Sequence, residues 1–199
     1  MDTDRPLALQ RQLIPALRQQ LERDHAGDSI GLIETHISWV LLASSYVYKI
    51  KKAVDLGFLD FSSLTQREHF CREELRLNQR LAPRFYLDII SIGGTPEHPV
   101  LGGTGNVIEY ALRMRRFPSH QLMNERSADP SGLTPLFYTL ADRVADFHLN
   151  AARTGNSTPY GSPDSVFRPA NDNIRALLTC VTSTDARAQL KSLDAWQEQ

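Results

Sequence analysis

The run Tyr46-Val47-Tyr48-Lys49-Ile50-Lys51-Lys52 is dense in aromatic and β-branched residues and reads as a strand that carries lysines into the fold. Side chains alternate across a strand, which puts Lys49 and Lys51 on one face and Lys52 on the other with Tyr48 and Ile50. Ile30 to Glu34 and Trp39 to Leu42 precede it as further strands, and Ser44-Ser45 supplies the last turn. Antiparallel neighbours joined by short turns, followed by helices, predict an α+β fold.

Downstream, Leu56-Gly57-Phe58-Leu59-Asp60-Phe61-Ser62-Ser63-Leu64 is an apolar connection, and Ser63 or Thr65 caps a helix predicted from about Gln66 to Leu81. Within that helix stands Cys71-Arg72-Glu73-Glu74-Leu75-Arg76-Leu77-Asn78. Phe70, Leu77 and Leu81 define one face, on which Glu74 also falls, while Glu73 sits farther round. A carboxylate among apolar neighbours needs a cation to offset desolvation, and Lys49 is the natural partner. The competing arrangement is a solvent-facing Glu73-Glu74 pair matched by Arg76 or Arg80.

Towards the N-terminus, Pro6 to about Arg23 spaces Leu7, Leu13, Ile14, Leu17 and Leu21 as an amphipathic helix, in which Pro15 is expected to form a kink or a new first turn. His25 to Ser29 has turn chemistry. On the other side, strands are predicted at Tyr86 to Ile92 and Asn106 to Arg115 around a glycine-rich stretch, Gly93 to Gly105. That stretch holds neither G-x-x-x-x-G-K-[ST] nor a G-x-G-x-x-G opening a helix, and it reads as a hairpin loop. After Phe117-Pro118 the chain turns helical. Leu133 to Ala152 repeats Leu136, Leu140, Val144, Phe147 and His148 along one face, Gly155 to Pro169 reads as a long loop, and short helices follow around Ile174 to Val181 and Thr184 to Trp196.

A chain of 199 residues with 41% hydrophobic and 23% charged residues has the make-up of a globular protein. Its formal net charge of -1 leaves no whole-chain basic field for nucleic acid or anionic membranes, so neither is expected as a partner. No apolar run approaches the roughly 18 residues of a membrane span. The polar start at Met1-Asp2-Thr3-Asp4 fits a cytoplasmic protein. Cys71 and Cys180 form no C-x-x-C pair, which argues against a disulfide framework or a zinc site, and both read as buried thiols.

Taken together, Glu34-Thr35-His36-Ile37-Ser38, Tyr48-Lys49-Ile50-Lys51-Lys52, Leu56 to Ser62, Glu73 to Asn78, Arg113-Met114-Arg115-Arg116-Phe117-Pro118 and Phe147-His148 resemble a bacterial aminoglycoside-phosphotransferase-like family with a protein-kinase-like fold. The resemblance covers roughly Ile30 to Ala152. It implies an N-terminal helix over 1–29, a small lobe of antiparallel sheet plus one helix over 30–117, and the start of a helical large lobe over 118–199 that stops before the catalytic loop.

The resemblance further implies that Lys49, with Lys51 the fallback, pairs with the α- and β-phosphates of ATP and that Glu74, or else Glu73, orients it. Ser38, in the turn Thr35 to Ser38, would donate to a phosphate oxygen. Met114 to Phe117 would be the hinge whose backbone meets the adenine edge, and Arg115 and Arg116, with Arg113, would contact phosphates or an acidic partner, or remain solvated. His148 would be a core or near-core residue supporting the catalytic loop. The implied cofactors are ATP and Mg²⁺, with the Mg²⁺ ligands outside this chain. The implied partners are a nucleotide, a small-molecule acceptor and, in the full-length protein, a C-terminal ATPase domain. The sequence contains no His-Gly-Asp or His-Arg-Asp, and Asp164, Asp172 and Asn173 stand outside any such context, so no catalytic or metal-ligating residue is assigned. The expected function is the ATP-binding portion of a small-molecule kinase, inactive alone. The alternative is a non-catalytic, pseudokinase-like module that binds a nucleotide or a partner.

Overall fold

The computed structural model describes residues 4–24, 29–103, 105–126, 133–155, 158 and 160–197. His25 to Asp28 of the turn expected over His25 to Ser29, and Thr104 of the glycine-rich stretch, lie outside the described residues. The architecture is α+β, and the chain forms two compact units, residues 1–141 and 142–199.

The first unit is built on a six-stranded sheet, β1 (Gly31–Glu34), β2 (Ser38–Leu42), β3 (Tyr46–Lys51), β4 (Tyr86–Gly94), β5 (Pro99–Leu101) and β6 (Val107–Arg115), in the order β1-β2-β3-β6-β4-β5. Every named pairing is antiparallel. Helix α1 (Asp4–Asp24) seals one face, where Leu13, Ile14, Leu17 and Leu21 pack with Leu41, Tyr48, Ile50 and Ala111. Of the two outcomes expected at Pro15, a new first turn is not what forms: α1 runs through Pro15, which lies on its exposed side. Burying each of the four large side chains contributes about 1.5–3 kcal/mol, which outweighs the roughly 3 kcal/mol an interior proline costs a helix.

The opposite face carries the other parity of each strand. Lys49 lies across from Val40 and Leu112, and Val47 across from Leu42 and Met114, so these side chains share a surface. Helix α2 (Leu64–Gln79) packs along β6 and β4, with Ser63 as its N-cap accepting from the Gln66 amide at 3.2 Å. Its buried positions are Arg67 and Cys71, whereas Leu77 and Leu81 are exposed. The inward stripe therefore runs Arg67, Cys71, Glu74 at i, i+4, i+7, and the apolar stripe Phe70-Leu77-Leu81 is not the buried one.

The glycine-rich stretch, read as a loop, contains the short edge strand β5. Gly94 makes the turn into it at φ +81°, and a Cβ there would run into the His98 carbonyl oxygen. A 3₁₀ turn (Ser119–Gln121) and α3 (Met123–Arg126) follow β6. Helix α4 (Leu133–Leu149) crosses from one unit into the next; none of its residues is buried, and His148, expected at or near the core, is exposed.

The second unit pairs α5 (Pro163–Cys180) with α6 (Thr184–Gln197). Half of the expected loop is helix, because Ser162 caps α5 by accepting from the Ser165 amide at 3.3 Å and Pro163 opens its first turn. Pro169 is carried inside the helix. Arg187 of α6 donates to the carbonyls of Leu178 and Val181 at 2.6 and 3.0 Å, closing the hairpin. Cys180, expected to be buried, ends α5 exposed. Among the described residues, no helix is long and apolar enough to cross a membrane.

Candidate functional site

Strand alternation brings Lys49 and Lys51 to one surface, and the inward stripe of α2 brings Glu74 to meet them. Lys49 Nζ donates to Glu74 Oε1 and Lys51 Nζ to Oε2, each at 2.7 Å. The alternatives that the sequence left open thus have definite outcomes: Glu74 meets both lysines, whereas Glu73 pairs with Arg76 at 2.6 Å on the helix surface. Burial pushes the Glu74 carboxyl up, but its bonds to Lys49 and Lys51 prevail and hold it below its ordinary value. Two ammonium groups against one carboxylate leave one positive charge in excess. Lys52, on the far face, binds Glu34 at 2.6 Å and lies over the Trp39 ring.

Ser38 opens β2 directly across from Lys51, on the lysine face. It is buried, and its Oγ has no hydrogen-bond partner among the described residues. The turn before it is closed by Thr35, whose Oγ1 accepts from the Ser38 amide at 2.9 Å and the Ile37 amide at 3.3 Å, while the Thr35 amide donates to the Ser38 carbonyl at 2.9 Å. Those three amides are spent inside the turn and cannot form a phosphate cradle of the glycine-loop kind. The Ser38 hydroxyl is enclosed beside this turn and left without a partner among the described residues.

An apolar cavity of about 530 Å³ opens on the lysine face, lined by Ile33, Leu42, Val47, Tyr86, Met114 and Phe117 among others. Its size lies in the range of small-ligand sites. Val47 is two residues before Lys49 on the same face, so the ammonium pair stands next to the apolar wall. Phe85 and Phe117 meet edge to face, with centroids 5.5 Å apart, at the far side.

Arg115 and Arg116 also line the cavity, but their amides are engaged: Arg115 donates to the Phe85 carbonyl at 2.8 Å and Arg116 to Ser45 at 3.0 Å. The Arg116 guanidinium donates to the Ala43 carbonyl at 2.9 Å, tying the end of β6 to the β2–β3 turn. Of the hinge amides, that of Phe117 has no acceptor among the described residues. Arg113 belongs to the opposite face, where it forks onto Asp88 (Nε to Oδ1, 2.9 Å) and covers the Tyr46 ring. Asp164 stands in the first turn of α5, and Asp172 lies 3.9 Å from Arg175 on that helix.

A buried polar junction went unrecognised in the sequence. Glu109 of β6 accepts from Arg67 of α2 at 2.9 and 3.0 Å and from Gln10 of α1 at 2.7 Å. Gln10 also donates to the Lys51 carbonyl at 2.8 Å and accepts from the Ala53 amide at 2.8 Å. One carboxylate therefore joins both helices to β6, and Gln10 extends the junction to the strand end that bears Lys51. Its sequence signal is an acid at an inward position of an alternating strand, in the same parity as Ala111.

No protein-family profile matches the chain, and no solved structure gives a significant match. A stretch of 148 residues is 30% identical to uncharacterized proteins of Mycobacterium bovis and Mycobacterium tuberculosis. The match covers 74% of this chain and 28% of each relative, so the chain spans well under two-thirds of the length of the relatives it matches.

Proposed function

We propose that this chain is the ATP-binding portion of an aminoglycoside-phosphotransferase-like small-molecule kinase, which in its full-length form transfers a phosphoryl group from ATP to an acceptor hydroxyl. The observation that carries the reading is the convergence of Lys49 and Glu74 beside an apolar cavity on one face of an antiparallel sheet. The order along the chain, two strands, the lysine strand, the glutamate helix and then further strands, supports the same reading. An aromatic base suits the cavity wall. Phosphates suit the excess ammonium charge at Lys49, about 6.6 Å along the strand from Val47, with the Ser38 hydroxyl farther on, across from Lys51 and about 13 Å along the strand from Val47.

The residues present fit the base and phosphates of a nucleotide: the cavity holds the base, Lys49 neutralises the phosphates, Glu74 orients Lys49, and the Phe117 amide offers a donor at the base edge. Among the described residues no group of three His, Cys, Asp or Glu side chains could hold a metal ion, and Mg²⁺ beside a nucleotide needs one or two carboxylates that this reading does not assign. The reading therefore places the metal ligands and the acceptor site in further segments of a cytoplasmic full-length protein, with an ATPase domain as the expected C-terminal neighbour. The greater length of the mycobacterial relatives leaves room for such segments.

Calorimetric titration of the chain with ATP tests the proposal. Saturable binding that falls at least about tenfold in Lys49→Met, a loss of roughly 1.4 kcal/mol, is expected. Absent binding, or equal affinity in the variant, overturns it. A non-catalytic, pseudokinase-like module that binds a nucleotide or a partner is the second reading. A full-length protein that binds ATP without turnover selects it.

A further inference from the structure

Two lysines on one glutamate are one more than an orienting ion pair needs, and they are not equivalent. The Lys49 side chain is 28% exposed, that of Lys51 8% and that of Glu74 16%. Lys51 Nζ also sits 4.8 Å from the Phe61 ring centroid, and the backbone at its base is pinned on both sides, by Gln10 at the Lys51 carbonyl and by the Lys52 amide on the Ile37 carbonyl at 2.9 Å. The Lys49 backbone is paired on both sides, with Val40 and Leu112, but its side chain lies against no aromatic ring among the described residues and is the more exposed. It is also the lysine nearer the cavity, two residues from Val47, whereas Lys51 is four. Because each ammonium uses a different carboxylate oxygen, one can leave without disturbing the bond of the other.

We infer that Lys51 is the standing counter-ion of Glu74 and that Lys49 is the ammonium that leaves the carboxylate for an anionic ligand. The identity of that anion as a nucleotide phosphate rests on the reading above; the division of roles between the lysines does not. With a single lysine, turning it to an incoming anion would leave a half-buried carboxylate unpaired and facing another negative charge, and the site would have to take up a proton. Lys51 removes that need, so the exchange proceeds at constant protonation. The groups that face Glu74 are Lys49 and Lys51 from β3, Tyr86 from β4 and Cys71 from its own helix. Burial raises both Tyr86 and Cys71, the latter to about 11, which leaves Glu74 as the group of this cluster that titrates in acid. Lys51 is in these terms a positioning residue.

Two measurements on the whole chain decide it. In the first, without ligand, the Glu74 carboxyl is titrated by carbon NMR. In Lys49→Met it is expected to stay below its ordinary value, held by Lys51, and in Lys51→Met to titrate higher than in Lys49→Met. A Glu74 that rises above the ordinary value in Lys49→Met, or that moves equally in both variants, overturns the division. In the second, ATP and inorganic triphosphate are titrated calorimetrically in buffers of different ionisation enthalpy. The native chain is expected to bind without proton uptake and Lys49→Met to lose at least about tenfold in affinity. Lys51→Met is expected to take up a proton on binding, its affinity rising by up to about tenfold per unit of acidification. Equal, pH-independent losses in the two variants overturn the proposal. If neither probe binds the native chain, the nucleotide reading fails while the NMR titration still judges the lysines. Should Lys51→Met not fold, the pair Lys51→Met with Glu74→Gln leaves no unpaired acid and is expected to bind triphosphate without proton uptake; loss of all binding in that pair overturns the division.

Discussion

Arg67 on α2 meets Glu109 on β6 through its Nε, 2.9 and 3.0 Å from the two carboxylate oxygens, with both side chains almost wholly withdrawn from solvent. The Arg67 guanidinium also donates to the carbonyls of Phe61 and Ser62 at 3.0 and 2.9 Å, so the ion pair is accompanied by hydrogen bonds. Glu74 lies two helical turns farther along the same inward stripe. The placement of the lysine-binding carboxylate thus depends on a junction at the other end of the helix.

Breaking one partner of such a pair leaves a buried charge uncompensated. Arg67→Ala is expected to cost about 3–5 kcal/mol in urea unfolding, whereas Arg67→Met combined with Glu109→Leu recovers most of that loss. A double variant as unstable as the single one would mean that the pair acts by shape rather than charge.

Acid should weaken the fold through Glu74. Its folded-state pKa lies below the ordinary 4.5, so between those two values the unfolded chain binds more protons and stability falls as pH falls. The contribution is fully present above 4.5 and is lost as pH drops through the folded value. Unfolding curves of the native chain and Glu74→Gln, measured from pH 6 to pH 3, should show a stability difference that changes in favour of Glu74→Gln with acidification. Parallel curves would place the acid sensitivity elsewhere.

The facing of Lys49 and Lys51 was legible because strand alternation has a period of two and admits no other outcome once Tyr48 and Ile50 point into the core. The inward position of Glu74 was reached through the wrong stripe: Phe70, Leu77 and Leu81 suggested an apolar face, but α2 buries Arg67 and Cys71 instead. A helix satisfying a buried acid on the sheet carries its own polar residue inwards, and hydropathy patterning marks that residue as surface. Gln10, Arg67 and Glu109 share the difficulty, since each looks solvated alone and their contacts join distant parts of the chain. The start of α5 was hidden for a different reason: Ser162, Pro163 and Pro169 all read as loop residues, yet the first caps a helix and the second fits its first turn.

The two thiols should separate chemically. Burial pushes the Cys71 thiol up to about 11, and it is enclosed, whereas Cys180 is exposed at the end of α5. A thiol reagent at pH 8 should therefore titrate one group in the native chain and two after denaturation. Rapid reaction of both under native conditions would show that α2 opens readily from the sheet.

The cavity and the lysines should be separable in binding. Val47 faces the apolar space opposite Leu42 and Met114, so Val47→Phe fills the volume proposed for the base without touching the Lys49–Glu74 contact two residues away. ATP affinity should fall at least about tenfold, which is 1.4 kcal/mol or more. Affinity for inorganic triphosphate, which needs only the ammonium and hydroxyl groups, should change by less than about threefold. Overpacking can cost the fold about 1–3 kcal/mol, so the variant's urea midpoint is measured alongside. Equal losses for both ligands in a folded variant would mean that base and phosphates do not occupy separate parts of the face, and the arrangement of nucleotide along β3 would have to be redrawn.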